Sequence, residues 1–163
     1  MPRIGLLTAL FLLTIAALPV RGAEEPDADG LLRFAAAAPV TETIDRLADV
    51  ATARGFRIFA RIDHAAGAAS VGHSLRPTAL LIFGNPKGGA PLMEAAQTMA
   101  IDLPLKALVY EDADGRVWIA FNDPAYLVRR HHLADGAPVI ARMTALIEGL
   151  VAATVKADGA GTP

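Results

Sequence analysis

The chain contains no cysteine in 163 residues. That excludes disulfides, a thiolate metal site, a thiol nucleophile and the lipid-bearing cysteine of a lipoprotein anchor. An excess of positive charge is also missing, with 15 Lys and Arg against 17 Asp and Glu. A mildly acidic chain lacks the electrostatic footprint of a nucleic-acid binder, so nucleic acid is excluded as the expected partner. The usual catalytic signatures are absent as well. No Gly-x-Ser-x-Gly, Ser-His-Asp order or paired-carboxylate signature stands out, adjacency of Ser70, His64 and Asp63 in sequence not being triad geometry, and there is no His-x-x-His or His-x-x-x-His spacing. Lys87-Gly88-Gly89 offers positive charge and backbone amides, a candidate anion cradle. It is not a P-loop, because the Gly-x-x-x-x-Gly-Lys-Ser/Thr order is not there. Neither a metal nor a cofactor is implied.

Long apolar runs are scarce, and the one at the N-terminus reads as a targeting segment. Arg3 precedes Ile4–Leu18, which is 15 uncharged residues. That is shorter than the ~20 a membrane-spanning helix needs, and it is the length of a signal-peptide core. Pro19 breaks it, and Val20-Arg21-Gly22 suits a signal peptidase. Residues 1–22 are therefore read as a signal peptide cut after Gly22, with Ala23 as the alternative. The remaining 141 residues hold 13 basic and 17 acidic side chains, enough chain for one domain with a real core. The expected location is the periplasm, where a small fold without disulfides relies on its core, and no stable membrane anchor is left after cleavage.

Residues 23–30 read as a flexible acidic leader and 157–163 as a disordered tail, leaving 31–156 as a single domain. Leu31–Ala36 is a candidate first strand. Val40, Ile44, Leu47, Ala48 and Ala51 recur at helical spacing, and Gly55 stands where a left-handed C-cap belongs. Phe56, Ile58, Ala60 and Ile62 alternate with Arg57, Phe59 and Arg61, predicting a half-buried strand. Pro77–Phe83 is a continuous apolar run, as in a strand covered on both faces. Asn85–Gly89 reads as a loop, with Pro91 opening a short helix. Leu105–Glu111 and Arg116–Phe121 flank Asp112-Ala113-Asp114-Gly115, a hairpin signal. Asp123-Pro124 is an N-cap followed by a helix-opening proline. Ile140, Met143, Ile147, Leu150, Val151 and Thr154 form the stripe of a last helix. Strands without regular helix alternation predict an α+β domain, with an antiparallel sheet and helices packed on one face.

Two turns stand out. The strand ending at Ile62 runs into Asp63-His64, and the one ending at Ile82 runs into Phe83-Gly84-Asn85-Pro86. With Asp102-Leu103-Pro104, these stretches resemble the domain-of-unknown-function 302 family over Leu31 to Leu133. The resemblance implies a TATA-box-binding-protein-like layout, a curved antiparallel sheet with helices on one side. It implies no established activity and transfers no DNA binding. It also places an Asp-His pair at Asp63 and His64, and it suggests a homodimer, since family members resemble dimers built on sheet edges or faces.

The candidate ligand-binding residues are Asp63, His64, Phe83, Gly84, Asn85, Pro86 and Asp102. His64 is able to act as base, ligand or pH-sensitive group. The structural alternative has Asp63 capping the turn that follows it and His64 bonding to backbone. Gly84 permits close approach, Asn85 offers donor and acceptor, and Pro86 fixes the turn. Asp63, His64 and His73 are one conceivable metal set, without supporting spacing. His131-His132 reads as a solvated helix end, and Tyr110, Trp118 and Tyr126 as core or dimer contacts. The leading expectation is a non-catalytic periplasmic binding module for a small ligand or a protein partner. The alternatives are a small His-dependent enzyme or metal-handling protein, and a self-associating structural module.

Overall fold

A computed structural model of the chain describes residues 30–134 and 136–156. The segments read as signal peptide and tail, and the leader up to residue 29, lie outside the described residues. The first strand, β1 (Leu31–Ala36), leads into helix α1 (Val40–Ala53). Val40, Ile44, Leu47 and Ala51 bury one stripe of α1, and Thr43 Oγ1 donates to Ala38 O at 3.0 Å. The helix stops at Gly55, whose φ of +79° is costly for a residue with a Cβ. There the amides of Gly55 and Phe56 reach back to Thr52 O and Ala51 O at 2.9 and 3.0 Å, a Schellman motif.

Strand β2 (Arg57–Asp63) follows, then α2 (His64–Ala69) and β3 (Thr78–Gly84). Next come α3 (Pro86–Ala95), a 3₁₀ turn (Gln97–Ile101), β4 (Leu105–Glu111), β5 (Val117–Asn122), α4 (Pro124–Arg130) and α5 (Gly136–Lys156). The five strands form one antiparallel sheet in the order β1-β5-β4-β3-β2. The fold is α+β, as the segment pattern predicts.

One sheet face carries Leu32, Phe34, Leu81, Phe83, Val109, Ile119 and Phe121 into a single core with α1 and α5. Among the described residues α5 is the one helix long and apolar enough to cross a membrane. Here its Met143, Ile147, Leu150 and Val151 are buried.

Three local expectations need correction. Clean alternation along β2 fails at Phe59, where a bulge shifts the register. Ile58 stands opposite Phe83 on the core face, but Ala60 and Ile62 stand opposite Ile82 and Leu80 on the other face. Arg61 thereby turns to the helix side and ion-pairs with Asp45 of α1. Second, β3 is not buried on both faces. Ala79, Leu81 and Phe83 are buried, whereas Leu80 and Ile82 remain half-exposed, because an antiparallel sheet needs only one face on the core. Third, Asn85–Gly89 is not a loop. Asn85 Oδ1 accepts from Lys87 N at 3.0 Å and Pro86 occupies the first helical position, so α3 starts five residues before Pro91.

The β4–β5 hairpin is closed by Asp112. Its Oδ2 accepts from Trp118 Nε1 at 2.8 Å, and its Oδ1 accepts from the amides of Arg116 and Asp114, each at 2.9 Å. These bonds, Trp118 first, favour the carboxylate and lower its pKa from 3.8 to about 2. A depressed carboxylate pKa adds stability that is present above the ordinary value and lost as pH falls through the folded one. Stability should therefore drop as pH falls from near 3.8 toward about 2, and Asp112→Asn should remove that acid-dependent part. Denaturant melts read by the fluorescence of Trp118, the single tryptophan, measure this directly. An equally steep acid limb in the variant would count against the assignment.

Candidate functional site

A cleft of about 700 Å³ opens at the end of the sheet where β3 exits and β4 begins. Gly84 forms part of its rim. A Cβ there would sit 3.1 Å from Pro104 Cβ and 3.5 Å from Phe59 Cε2, so glycine lets the β3 exit press against the start of β4. Asn85 ties the next corner together. While capping α3, its Nδ2 donates to Gly55 O at 3.2 Å, joining the cleft to the α1–β2 turn. Helix α3 supplies Lys87, Gly88, Gly89, Pro91, Leu92 and Met93 as one wall. Leu103, Pro104 and Leu105 form the next wall, and Val139, Arg142, Met143 and Leu146 of α5 form the third. Phe56 and Phe59 close the remaining side.

A second apolar cluster holds these walls in register. Met99, Leu127 and Met143 are buried together, with Leu92, Met93, Leu103, Tyr126 and Val139 packed around them. Behind the Leu103 wall lies a polar knot. Asp102 is 8% exposed. Its Oδ2 lies 2.6 Å from His131 Nε2, and Arg130 Nη1 donates to its Oδ1 at 3.3 Å. The other ring nitrogen of His131 lies 2.9 Å from Thr98 Oγ1. Lys106 Nζ donates to the carbonyls of Asp102 and Pro104 at 3.1 and 3.3 Å, fixing the same turn from the other side.

The seven candidate residues do not form one site. Gly84, Asn85 and Pro86 line the cleft. Phe83 is fully buried in the core beneath it, packed edge-on against Phe56 with ring centroids 5.6 Å apart. Asp102 backs the wall without lining it. Asp63 and His64 stand at the far end of the sheet, since Asp63 pairs with Ala79 while Arg57 pairs with Gly84. Along β3 that separation is roughly 17 Å at about 3.4 Å per residue. Asp63 Oδ1 accepts from Ala66 N at 2.9 Å and caps α2. His64 is exposed and has no hydrogen bond or ion pair among the described residues. Those residues also contain no group of three or more His, Cys, Asp or Glu able to hold a metal ion.

His131 is the residue that sequence reasoning misplaced. It is buried, not solvated, because it follows Leu127 by four positions and so shares the inward stripe of α4 and its last turn. That spacing was the available signal. His132, with φ of +51°, is exposed.

Fold and site together define a single α+β domain with an apolar cleft at one end of its sheet. The chain belongs to the family of the domain of unknown function DUF302, whose model matches residues 33–150. It is similar to a solved structure, an uncharacterized conserved DUF302 protein from Bacillus stearothermophilus. The TM-score is 0.63 at 23% identity, covering 79% of this chain and 98% of that one, a likeness of fold. Curated relatives include proteins named fluoride-specific ion channel FluC 1 from Brucella suis biovar 1 (strain 1330) and Brucella abortus biovar 1 (strain 9-941). Each is 42% identical over 130 residues, which is 80% of this chain and 50% or 47% of theirs. The chain thus spans about half the length of the curated relatives it matches.

The two histidines should respond in opposite ways to removal. His64→Ala takes away an exposed side chain and should stay within about ±0.5 kcal/mol. His131→Ala leaves the buried Asp102 carboxylate short of a partner and should cost about 1–3 kcal/mol. Urea melts of both variants check this, and equal effects would refute the assignment.

Proposed function

We propose that this domain is a non-catalytic binding module, exported to the periplasm, that takes a small and largely apolar ligand in the cleft between α3, the β3–β4 end and α5. The observation that carries the reading is the cleft itself. Its volume falls within the range of small-molecule sites, and its walls are mostly Phe, Leu, Met, Val and Pro side chains. Among the described residues its lining includes no His, Ser, Thr, Asp or Glu, so no nucleophile and base among them face one another across it. The one polar uncharged lining side chain, Asn85, is already committed to capping α3 and to Gly55 O. Export rests on the character of residues 1–22 alone.

The test is titration with Nile red, a neutral apolar dye. Gly89→Leu is the matched control. A Cβ at Gly89 would meet Leu103 Cδ1 at 3.7 Å and Met93 Cε at 3.9 Å, ordinary contacts, so a longer side chain fills the cleft without displacing backbone. The change should weaken dye binding at least about tenfold, or ~1.4 kcal/mol. The melting temperature should hold or rise, because glycine inside a helix costs about 1 kcal/mol. Failure of the dye to bind, or binding indifferent to Gly89→Leu, would remove the cleft from consideration.

A second reading starts from the relatives named as fluoride channels. The half of those proteins that resembles this chain corresponds here to an α+β domain, and the one long apolar helix among the described residues packs against the sheet. On this reading the chain is a domain that accompanies a channel and does not itself conduct. Purified protein mixed into vesicles should then release no more fluoride than empty vesicles do, as read by a fluoride electrode. Measurable efflux would overturn it.

A further inference from the structure

We infer that the cleft selects amphipathic anions, molecules with an apolar tail and a carboxylate or similar head, over neutral or cationic molecules of the same length. The inference rests on the cleft reading above and adds a charge preference to it. Among the described residues two lining side chains are charged, Lys87 in the first turn of α3 and Arg142 on α5, and both are cations. Both are exposed, and neither has a hydrogen bond or ion pair among the described residues. This is unlike most other cations of the fold. Arg61 pairs with Asp45, Arg116 with Asp112 and Asp114, and Arg130 with Asp102. Arg54 donates to Gly149 O, and Lys106 donates to the carbonyls of its own turn. At the cleft, two positive groups from different helices border an apolar hollow, and no acidic side chain lines it among the described residues.

The start of α3 contributes little beyond its lysine. The Lys87 amide already donates to Asn85 Oδ1, and the Gly88 and Gly89 amides donate to Asn85 O at 3.0 Å. A bound head group would therefore be recognised by the ammonium and guanidinium, with the tail against Leu92, Met93, Leu103 and Leu146. The chain's net charge is −2, so its overall field does not attract anions, and any preference must be local. A free amphiphile suits a concave site better than a flat bilayer surface does.

The experiment displaces bound Nile red with dodecanoate and dodecyltrimethylammonium, each below its micelle concentration, and with dodecanol below its solubility limit. Dodecanoate should compete about five- to tenfold better than dodecanol, the scale expected for one or two exposed charge contacts. Dodecyltrimethylammonium should be the weakest. In Lys87→Gln/Arg142→Gln the preference for dodecanoate should vanish while dodecanol is unaffected, and 0.5 M salt should shrink it in the parent chain. Pelleting with phosphatidylglycerol vesicles that depends on the same two residues, without dodecanoate displacement, would assign the anion to a membrane lipid. That outcome would overturn the free-amphiphile choice and keep the charge assignment. Equal competition by dodecanoate and dodecanol overturns the inference and leaves the cleft standing. Absence of dye binding defeats the cleft reading on which both depend.

Discussion

Ile44, Leu47 and Ala51 of α1 press on the same sheet face as Ile147, Leu150 and Val151 of α5, and all are 5% exposed or less. Burying one large aliphatic side chain is worth about 1.5–3 kcal/mol, so this shared face is a large source of the fold's stabilisation. The rest of the molecule is arranged by it. With α5 laid across the sheet, its N-terminal half runs past the β3–β4 end, and Val139, Met143 and Leu146 become one wall of the cleft. Arg54, at the end of α1, donates to Gly149 O at 2.8 Å and pins the two helices together near the middle of α5.

Helix α3 is the opposite case. No residue in it is buried. Gly88, Gly89 and Pro91 all sit inside it, at about 1 kcal/mol for each glycine and about 3 for an interior proline. It exists because Asn85 caps it, Pro86 starts it, and Leu92 and Met93 rest against the Met99–Met143 cluster. This wall of the cleft is thus held by its cap and its neighbours and not by a core of its own. The Leu103–Leu105 wall is stiffer, braced by Asp102 with His131 and Arg130 on one side and by Lys106 on the other.

Much of the architecture was legible in residue order. The α1 stripe, the Gly55 stop, the Asp112–Gly115 hairpin and the Asp123-Pro124 helix start are local signals, set by spacing and by side chains that bond within a few residues. The bulge at Phe59 was not legible, because the residues on either side alternate correctly and only pairing with β3 shows the extra one. The start of α3 was obscured by its glycines, which read as loop until the Asn85 cap is seen. Of the candidate residues, Gly84, Asn85 and Pro86 border the cleft, whereas Asp63 and His64 fall at the opposite sheet end. Strand ends that look equivalent in sequence lie far apart when neighbouring strands run antiparallel.

By itself the sequence determined the alternation of strands and helices, the lack of thiol chemistry and the family, because periodicity, composition and turn residues act over short range. Tertiary structure alone decided that Lys87 and Arg142, 55 positions apart, border one apolar hollow. It also decided that His131 is buried against Asp102 and Thr98. Both depend on how α3, α4 and α5 close over the end of the sheet. That arrangement follows from packing between segments distant in the chain, which no local pattern encodes.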